Sequence, residues 1–276
     1  MPEGDTIHRA ARTLHAALAG RTIARFETLF PALARIDEET PLAGRIIERV
    51  EAAGKNLLMH FSGDLHLRTH MRMRGSWHLY RPGEKWRIAR SEMRLVLETD
   101  AWVAVGFNIP VAELHDARSL ARQEDLRLIG PDLIGEAFDF DEALRRIRAR
   151  PDEEIADVLL NQRVVAGIGN EYKSELLFIA RIHPFTLVRD LTDEELRRLL
   201  ERARKIMVAN VAKRSPARIT TFSLDPRAQQ YVYGRGRKPC RNCGTPIEYA
   251  KQGRDARHTY WCPKCQMRRE SGVGSR

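Results

Sequence analysis

Apolar residues recur every three to four positions near the start of the chain, where Ile7, Ala10, Ala11, Leu14 and Leu18 fall on one face of a helix. Asp5 or Thr6 is expected to cap that helix and Gly20 to end it. The period then drops to two. LLMHF (57–61) and LHLRTHM (65–71), joined by Ser62-Gly63-Asp64, predict a β-hairpin. MRLVLE (93–98) and WVAVGF (102–107), joined by Thr99-Asp100-Ala101, predict a second. Antiparallel hairpins behind one leading helix point to a β-sandwich. On the second strand of the first hairpin, His66, Arg68 and His70 share a face. That face reads as a basic strip rather than a metal site.

Past residue 125 the helical period returns. DFDEALRRIRAR (139–150), DEEIADVLLNQ (152–162) and NEYKSELLFIA (170–180) predict three helices, the last following a glycine-rich turn. Thr192 with Glu195 three places on forms a capping box for a fourth, reaching about Lys213. Its buried stripe is Leu196, Leu199, Leu200, Ala203, Ile206 and Met207. A third zone from about Tyr231 is rich in Gly, Pro, Arg and Cys, and is too short to bury a core of its own.

Cysteine spacing supplies what that zone lacks. Cys240-x2-Cys243 and Cys262-x2-Cys265 stand about 18 residues apart, a spacing that closes two thiolate knuckles into a tetrahedron around one Zn²⁺. A redox dithiol would need a single C-x-x-C beside a βαβ unit, which the pattern lacks. With every position a cysteine, no ligand site stays open, so the metal is structural. The fold class expected is therefore α+β and multidomain. An N-terminal β-sandwich with its leading helix spans 1–125, a helical domain 126–225 and a four-cysteine zinc finger 231–267.

Composition then narrows the partner. The 276 residues carry 47 Lys+Arg against 37 Asp+Glu, a net charge of +10, and such an excess favours polyanions because each phosphate contact releases counterions. Around the knuckles lie Arg235, Arg237, Lys238, Arg241, Lys251, Arg254, Arg257, Lys264, Arg268 and Arg269. These form either a solvated basic face or a DNA contact. The N-terminus lacks the apolar segment of a signal peptide, and no apolar run approaches a membrane span. A cytoplasmic, nucleoid-associated monomer is expected.

Four separated motifs share one resemblance. They are MPEG at the start, AGKNLL before the first hairpin, VVAGIGNEY with RIHP after it, and VYGRGRKPCRNCGTPI followed by RHTYWCPKCQ. In that order they resemble the formamidopyrimidine-DNA glycosylase and endonuclease VIII family over essentially the whole chain. The resemblance implies a β-sandwich, a helix-two-turn-helix domain and a zinc finger. It also implies double-stranded DNA, carrying a damaged base or an abasic site, held in the cleft.

It further implies a bifunctional DNA glycosylase and abasic-site lyase of base-excision repair. Removal of Met1 would expose the amine of Pro2. That amine attacks the anomeric carbon, and the resulting iminium acidifies the neighbouring proton for β,δ-elimination. By the same resemblance Glu3 is the acid that protonates the opening sugar. Lys55 supports sugar opening and β-elimination, Asn170 contacts phosphate, and Arg257 grips the phosphates around the extruded nucleotide through its planar fork. Arg72 and Met73, in HMRMRG (70–75), are the expected wedge that fills the gap left by a flipped base.

The chain departs from the family pattern in places. VGFNIPVAELH lacks the Arg-Arg-Phe-Gly motif of oxidised-purine enzymes, and the stretch between Phe222 and Tyr231 is short for a loop capping oxidised guanine. Both favour the endonuclease VIII branch and oxidised pyrimidines. The alternatives are an oxidised-purine glycosylase on the same scaffold, or a non-catalytic zinc-dependent protein that binds damaged DNA. Asp5 and Thr6 stand where the family usually reads Pro-Glu, and Leu128, beside Arg127, replaces an expected phosphate-contacting arginine.

Overall fold

The structure is a computed structural model that describes residues 2–213, 217–222, 225 and 227–268. The chain divides into two compact units, 1–128 and 129–276.

The first unit opens on α1 (Gly4–Leu18), which buries Ile7, Ala11, Leu14 and Leu18. Its cap is Glu3, in extended backbone, rather than Asp5 or Thr6. The Glu3 carbonyl already accepts the amides of Thr6 (2.9 Å) and Ile7 (3.1 Å), so the helix starts earlier than the cap residues suggested. Next come β1 (Arg25–Thr28), α2 (Pro31–Glu39), β2 (Ile47–Ala53), β3 (Asn56–Phe61), β4 (Leu65–His70), β5 (Ser76–Tyr80), β6 (Met93–Glu98), β7 (Val103–Phe107) and β8 (Val111–His115). They form two four-stranded antiparallel sheets, ordered β1-β6-β7-β5 and β2-β3-β4-β8. Both expected hairpins, β3–β4 and β6–β7, are present. Leu57, Met59, Phe61 and Leu67 from one sheet and Leu95, Leu97 and Ala104 from the other join the α1 stripe in one core. Each fully buried leucine of this kind contributes roughly 1.5–3 kcal/mol. The short helices α3 (Ala117–Ala121) and α4 (Glu124–Arg127) close the unit.

The second unit holds α5 (Phe140–Arg148), α6 (Ile155–Leu160), α7 (Asn170–Ala180) and α8 (Asp193–Ala212), and then the hairpin of β9 (Glu248–Gln252) and β10 (Arg257–Trp261). The capping box at Thr192 is formed and opens α8. The helix expected over 152–162 is cut to Ile155–Leu160. Its would-be first turn is spent elsewhere: the amide of Ile155 donates to the Thr186 carbonyl (2.9 Å) and that of Val188 to the Glu153 carbonyl (3.1 Å).

Helix α7 is buried from Asn170 to Phe178, including four residues that carry charge or amide groups. In a helix buried all round, such groups cost stability wherever they are left unpaired. Glu175 accepts from the amides of Tyr231 (2.7 Å), Val232 (2.8 Å) and Tyr233 (2.8 Å) and from the Thr220 hydroxyl. Burial pushes its carboxyl up, against these four bonds that favour the carboxylate. The Lys173 ammonium donates to Thr259 Oγ1 on β10 (2.6 Å), and Arg218 pairs with Glu171 (2.5 Å). Glu175→Ala is expected to remove about 2–4 kcal/mol of stability, because it strands the buried Val232 amide and the part-buried amides of Tyr231 and Tyr233 at once. Urea denaturation checks this; a loss below about 1 kcal/mol would show the amides finding water instead.

Candidate functional site

In the first unit, Pro2 is half-buried immediately before α1, and Glu3 is fully buried at its N-cap. The positive end of the helix dipole favours a carboxylate there. Asp5, also fully buried, accepts from the Thr6 amide (2.8 Å) and lies 3.7 Å from Arg9 on the same helix. Lys55 sits in the tight turn between β2 and β3, where Gly54 takes φ 59°. That left-handed backbone suits glycine.

One residue beyond Lys55, Asn56 faces His70 across the sheet. The His70 Nδ1 accepts the Arg72 amide (3.0 Å) and so leaves the ring proton on Nε2. Burial, then the charges of Arg72, Lys55 and Arg68, push the His70 pKa down to about 4, so the ring is neutral at pH 7. Since the unfolded imidazole takes its proton near pH 6.5, the stability of this unit is expected to fall as pH drops from about 6.5 towards 4. A His70→Gln variant should flatten that slope in a pH series of melting curves, and an unchanged slope would point to another group.

The turn after β4 presents the expected wedge. The Gly75 amide closes on the Met71 carbonyl (2.8 Å), and a Cβ at Gly75 would lie 2.6 Å from that oxygen, so only glycine fits. Met71 is buried as an anchor, whereas Arg72 and Arg74 are exposed and Met73 is 64% exposed. The strip read from His66, Arg68 and His70 is corrected. Arg68 is buried, bonded to Asn56 (3.1 Å) and Glu113 (3.0 Å) and ion-paired with Asp125. His66 points its Nδ1 at that of His60 (2.9 Å). Two carboxylates neutralise the arginine, so it offers DNA no free charge.

In the second unit, Gln162 knits the glycine turn before α7. Its amide group donates to the carbonyls of Leu160 (2.8 Å) and Ile168 (3.0 Å), and its oxygen accepts from the Gly167 amide (3.0 Å). Gly169 is the cap and Asn170 the first helical residue. Asn170 Nδ2 donates to the His258 carbonyl (2.9 Å), tying it to the strand that carries Arg257. Its Oδ1 is buried without a partner among the described residues. Arg257 is partly exposed and borders a cavity of about 670 Å³ whose lining mixes Arg150, Arg163 and Arg254 with the carboxylates of Glu153, Glu154 and Asp157.

The four cysteines converge. Cys240 and Cys265 sulfurs lie 3.9 Å apart, Cys243 and Cys262 3.5 Å, and all four fall within 4.8 Å of one another. Bonds of 2.3 Å to a tetrahedral ion require sulfurs about 3.8 Å apart, so the set fits a four-thiolate metal centre. Among the described residues no other group of three or more His, Cys, Asp or Glu side chains could hold an ion. The basic cluster around it is less uniform than its sequence. Arg235 is turned onto the carbonyls of Tyr231 and Pro239, while the exposed Arg241 donates to that of Gln230 (2.9 Å). Lys251, Arg254, Lys264 and Arg268 are exposed. Met1, Ser223, Leu224, Pro226 and Arg269 lie outside the described residues.

Two features have no plain mark in the sequence: the neutral ring of His70, set by burial and neighbouring cations, and the burial of the Glu175 carboxylate within a helix whose first half is polar.

Comparisons with known proteins follow the same division. Residues 1–123 match the family model of the formamidopyrimidine-DNA glycosylase N-terminal domain, 129–221 the formamidopyrimidine-DNA glycosylase H2TH domain, and 237–268 the zinc finger found in FPG and IleRS. A probable endonuclease 8 2 of Streptomyces coelicolor is 41% identical, over 96% of this chain and 94% of its own. The DNA-(apurinic or apyrimidinic site) lyase Nei2 of Mycolicibacterium smegmatis is 35% identical, over 96% and 99%. The Lactococcus lactis Fpg, solved with DNA containing an abasic site, superposes with a TM-score of 0.80 at 24% identity, covering 97% of this chain and all of that one. No helix among the described residues is long and apolar enough to cross a membrane.

Proposed function

The chain belongs to the formamidopyrimidine-DNA glycosylase and endonuclease 8 family, and from that premise we propose a bifunctional DNA glycosylase and abasic-site lyase that excises oxidised pyrimidines through Pro2. The observation that carries the reading is the pairing of a half-buried Pro2 with a fully buried carboxylate, Glu3, at the N-terminus of α1.

Once Met1 is removed, Pro2 offers a secondary amine with a pKa near that of an ordinary α-amino group, about 7.7–8, so part of it is free base at neutral pH. The amine adds to the anomeric carbon as the base departs with its bonding pair, and Glu3 delivers the proton that opens the sugar ring. The iminium draws electrons from the neighbouring carbon, which loses a proton, and the 3′ phosphate leaves. A second elimination expels the 5′ phosphate. Lys55 supports the opening and the first elimination, while Asn170 and Arg257 hold phosphates and Arg72 and Met73 fill the vacated stack. Residues 1–125 would serve as the catalytic domain, 126–225 as the helical DNA-binding domain, and 231–267 as the finger. The four thiolates suit Zn²⁺, which would fold the finger and take no part in the reaction.

Glu3→Gln is expected to slow base removal by about a hundredfold or more, since it retains shape but loses the transferable proton. Single-turnover assays on duplexes with thymine glycol or oxidised guanine opposite cytosine test the whole reading. Faster cutting of thymine glycol supports it. Preference for oxidised guanine would move the protein to the purine branch, and no cutting of either would leave a binding protein.

A further inference from the structure

Arg257 does not meet DNA as a bare cation. Its Nε and one terminal nitrogen donate to the same carboxylate oxygen of Asp255, at 3.2 and 2.9 Å. Both donors on one edge of the guanidinium converge on one anionic oxygen, so that edge is filled where it would otherwise be open to a phosphate oxygen. The turn enforces this. Between β9 and β10 the chain reverses through Gly253 at φ 70° and Ala256 at φ 47°, with the Ala256 amide closing on the Gly253 carbonyl (3.0 Å). A left-handed alanine is strained by roughly 1–2 kcal/mol, and its effect here is to set residues 255 and 257 on the same side of the hairpin mouth. Space at the tip is also restricted, because a Cβ on Gly253 would lie 2.4 Å from the Asp157 carboxylate.

We propose that Asp255 is a positioning residue that occupies the Arg257 fork as a stand-in for a DNA phosphate and must be displaced when DNA binds. The inference rests on the reading of Arg257 as a phosphate-gripping residue. Two consequences oppose each other. The fork is held extended and ready, which lowers the ordering cost of binding. The carboxylate competes with phosphate and cancels charge at the mouth, which weakens affinity and lowers the number of counterions released. For an exposed pair the attraction is small, so phosphate can displace the carboxylate. The displacement still costs part of the binding energy Arg257 would otherwise give, and the ordering supplied by so weak a pair is smaller still. Asp255 thus limits how tightly the finger holds DNA, a brake on product retention in an enzyme whose cut strand must leave.

The test is a double-mutant cycle on the full-length, metal-loaded protein, with a duplex carrying a stable abasic analogue as probe. Asp255→Asn and Asp255→Ala are expected to tighten binding by about two- to fivefold and to steepen the salt dependence by up to about 0.9 in log Kd per log[salt]. Product release should slow by a similar factor. Lost packing would weaken binding rather than tighten it, so the gain separates competition from a structural role. In an Arg257→Ala background the same substitutions should yield little gain. Unchanged or weaker binding by both Asp255 variants overturns the inference, as does an equal gain without Arg257, which would reflect charge alone. If Arg257→Ala itself leaves binding and the second elimination intact, the reading of Arg257 fails and the inference with it; if Arg257→Ala is impaired but Asp255→Asn binds as before, only the inference fails.

Discussion

A variant carrying one additional residue ahead of Pro2 is expected to form no borohydride-trapped adduct with abasic-site DNA, a loss of roughly a thousandfold or more against the protein bearing Pro2 at its terminus. The cause lies in the nitrogen. As a terminal amine it has a lone pair free to attack carbon; within a peptide bond that pair is delocalised onto the carbonyl, and proline has no N–H left to lose. Binding of the abasic duplex should survive, because the groups proposed to hold phosphate stand elsewhere in the chain. In the unmodified protein, trapping at fixed DNA should rise with pH through about 7.7–8 as the amine loses its proton. An adduct that persists with a blocked terminus would assign the nucleophile to another amine. Lys55 would be the first to test, since it sits half-exposed in its turn, whereas Lys173 is sealed in α7.

The second large effect concerns the metal centre. Cys262→Ser, or prolonged chelation, is expected to release the bound ion and weaken DNA binding by about a hundredfold or more. A four-thiolate zinc site contributes about 10–16 kcal/mol of apparent binding free energy to a small module, and little else here can replace it. The apolar cluster of the finger is Val232, Ile247 and the cysteines themselves, leaning on Phe178 of α7. Damage should spread along α7, because Lys173 and Glu175 use Thr259 and the amides of 231–233 as their partners. Unit 129–276 should therefore melt earlier, while the sandwich of 1–128, with its own core, keeps its hydrogen-exchange protection. Metal content by a chromogenic chelator, read beside DNA affinity, checks this. Full affinity after loss of the ion would remove the finger from the DNA-binding reading.

How much could be read in advance depends on how locally each feature is encoded. Strands β3, β4, β6 and β7 are mostly buried apolar runs joined in pairs by short turns, and those two hairpins are legible. β1, β2, β5 and β8 are not, and β2 shows why: its burial follows no two-residue period, and a bulge between Ile47 and Arg49 breaks the register. α6 lost its first turn to backbone bonds with residues 186–188, which no helical period can announce.

The sequence by itself determined which chemistry the chain carries. The cysteine spacing set a four-thiolate site, the Pro2–Glu3 pair and the Asn170 and Arg257 motifs carried the family resemblance, and the hairpins set the sandwich. Only the tertiary structure decided the state of each charged group. Arg68 is neutralised by Asp125, 57 residues away; Arg235 is turned onto carbonyls; His70 stays neutral beside three cations; and Arg257 donates to Asp255 two residues before it. Periodicity and spacing encode which side of an element is buried and which ligands can converge. They carry no record of the partner waiting there, because that partner arrives through the fold, and it is the partner that fixes charge, protonation and reach.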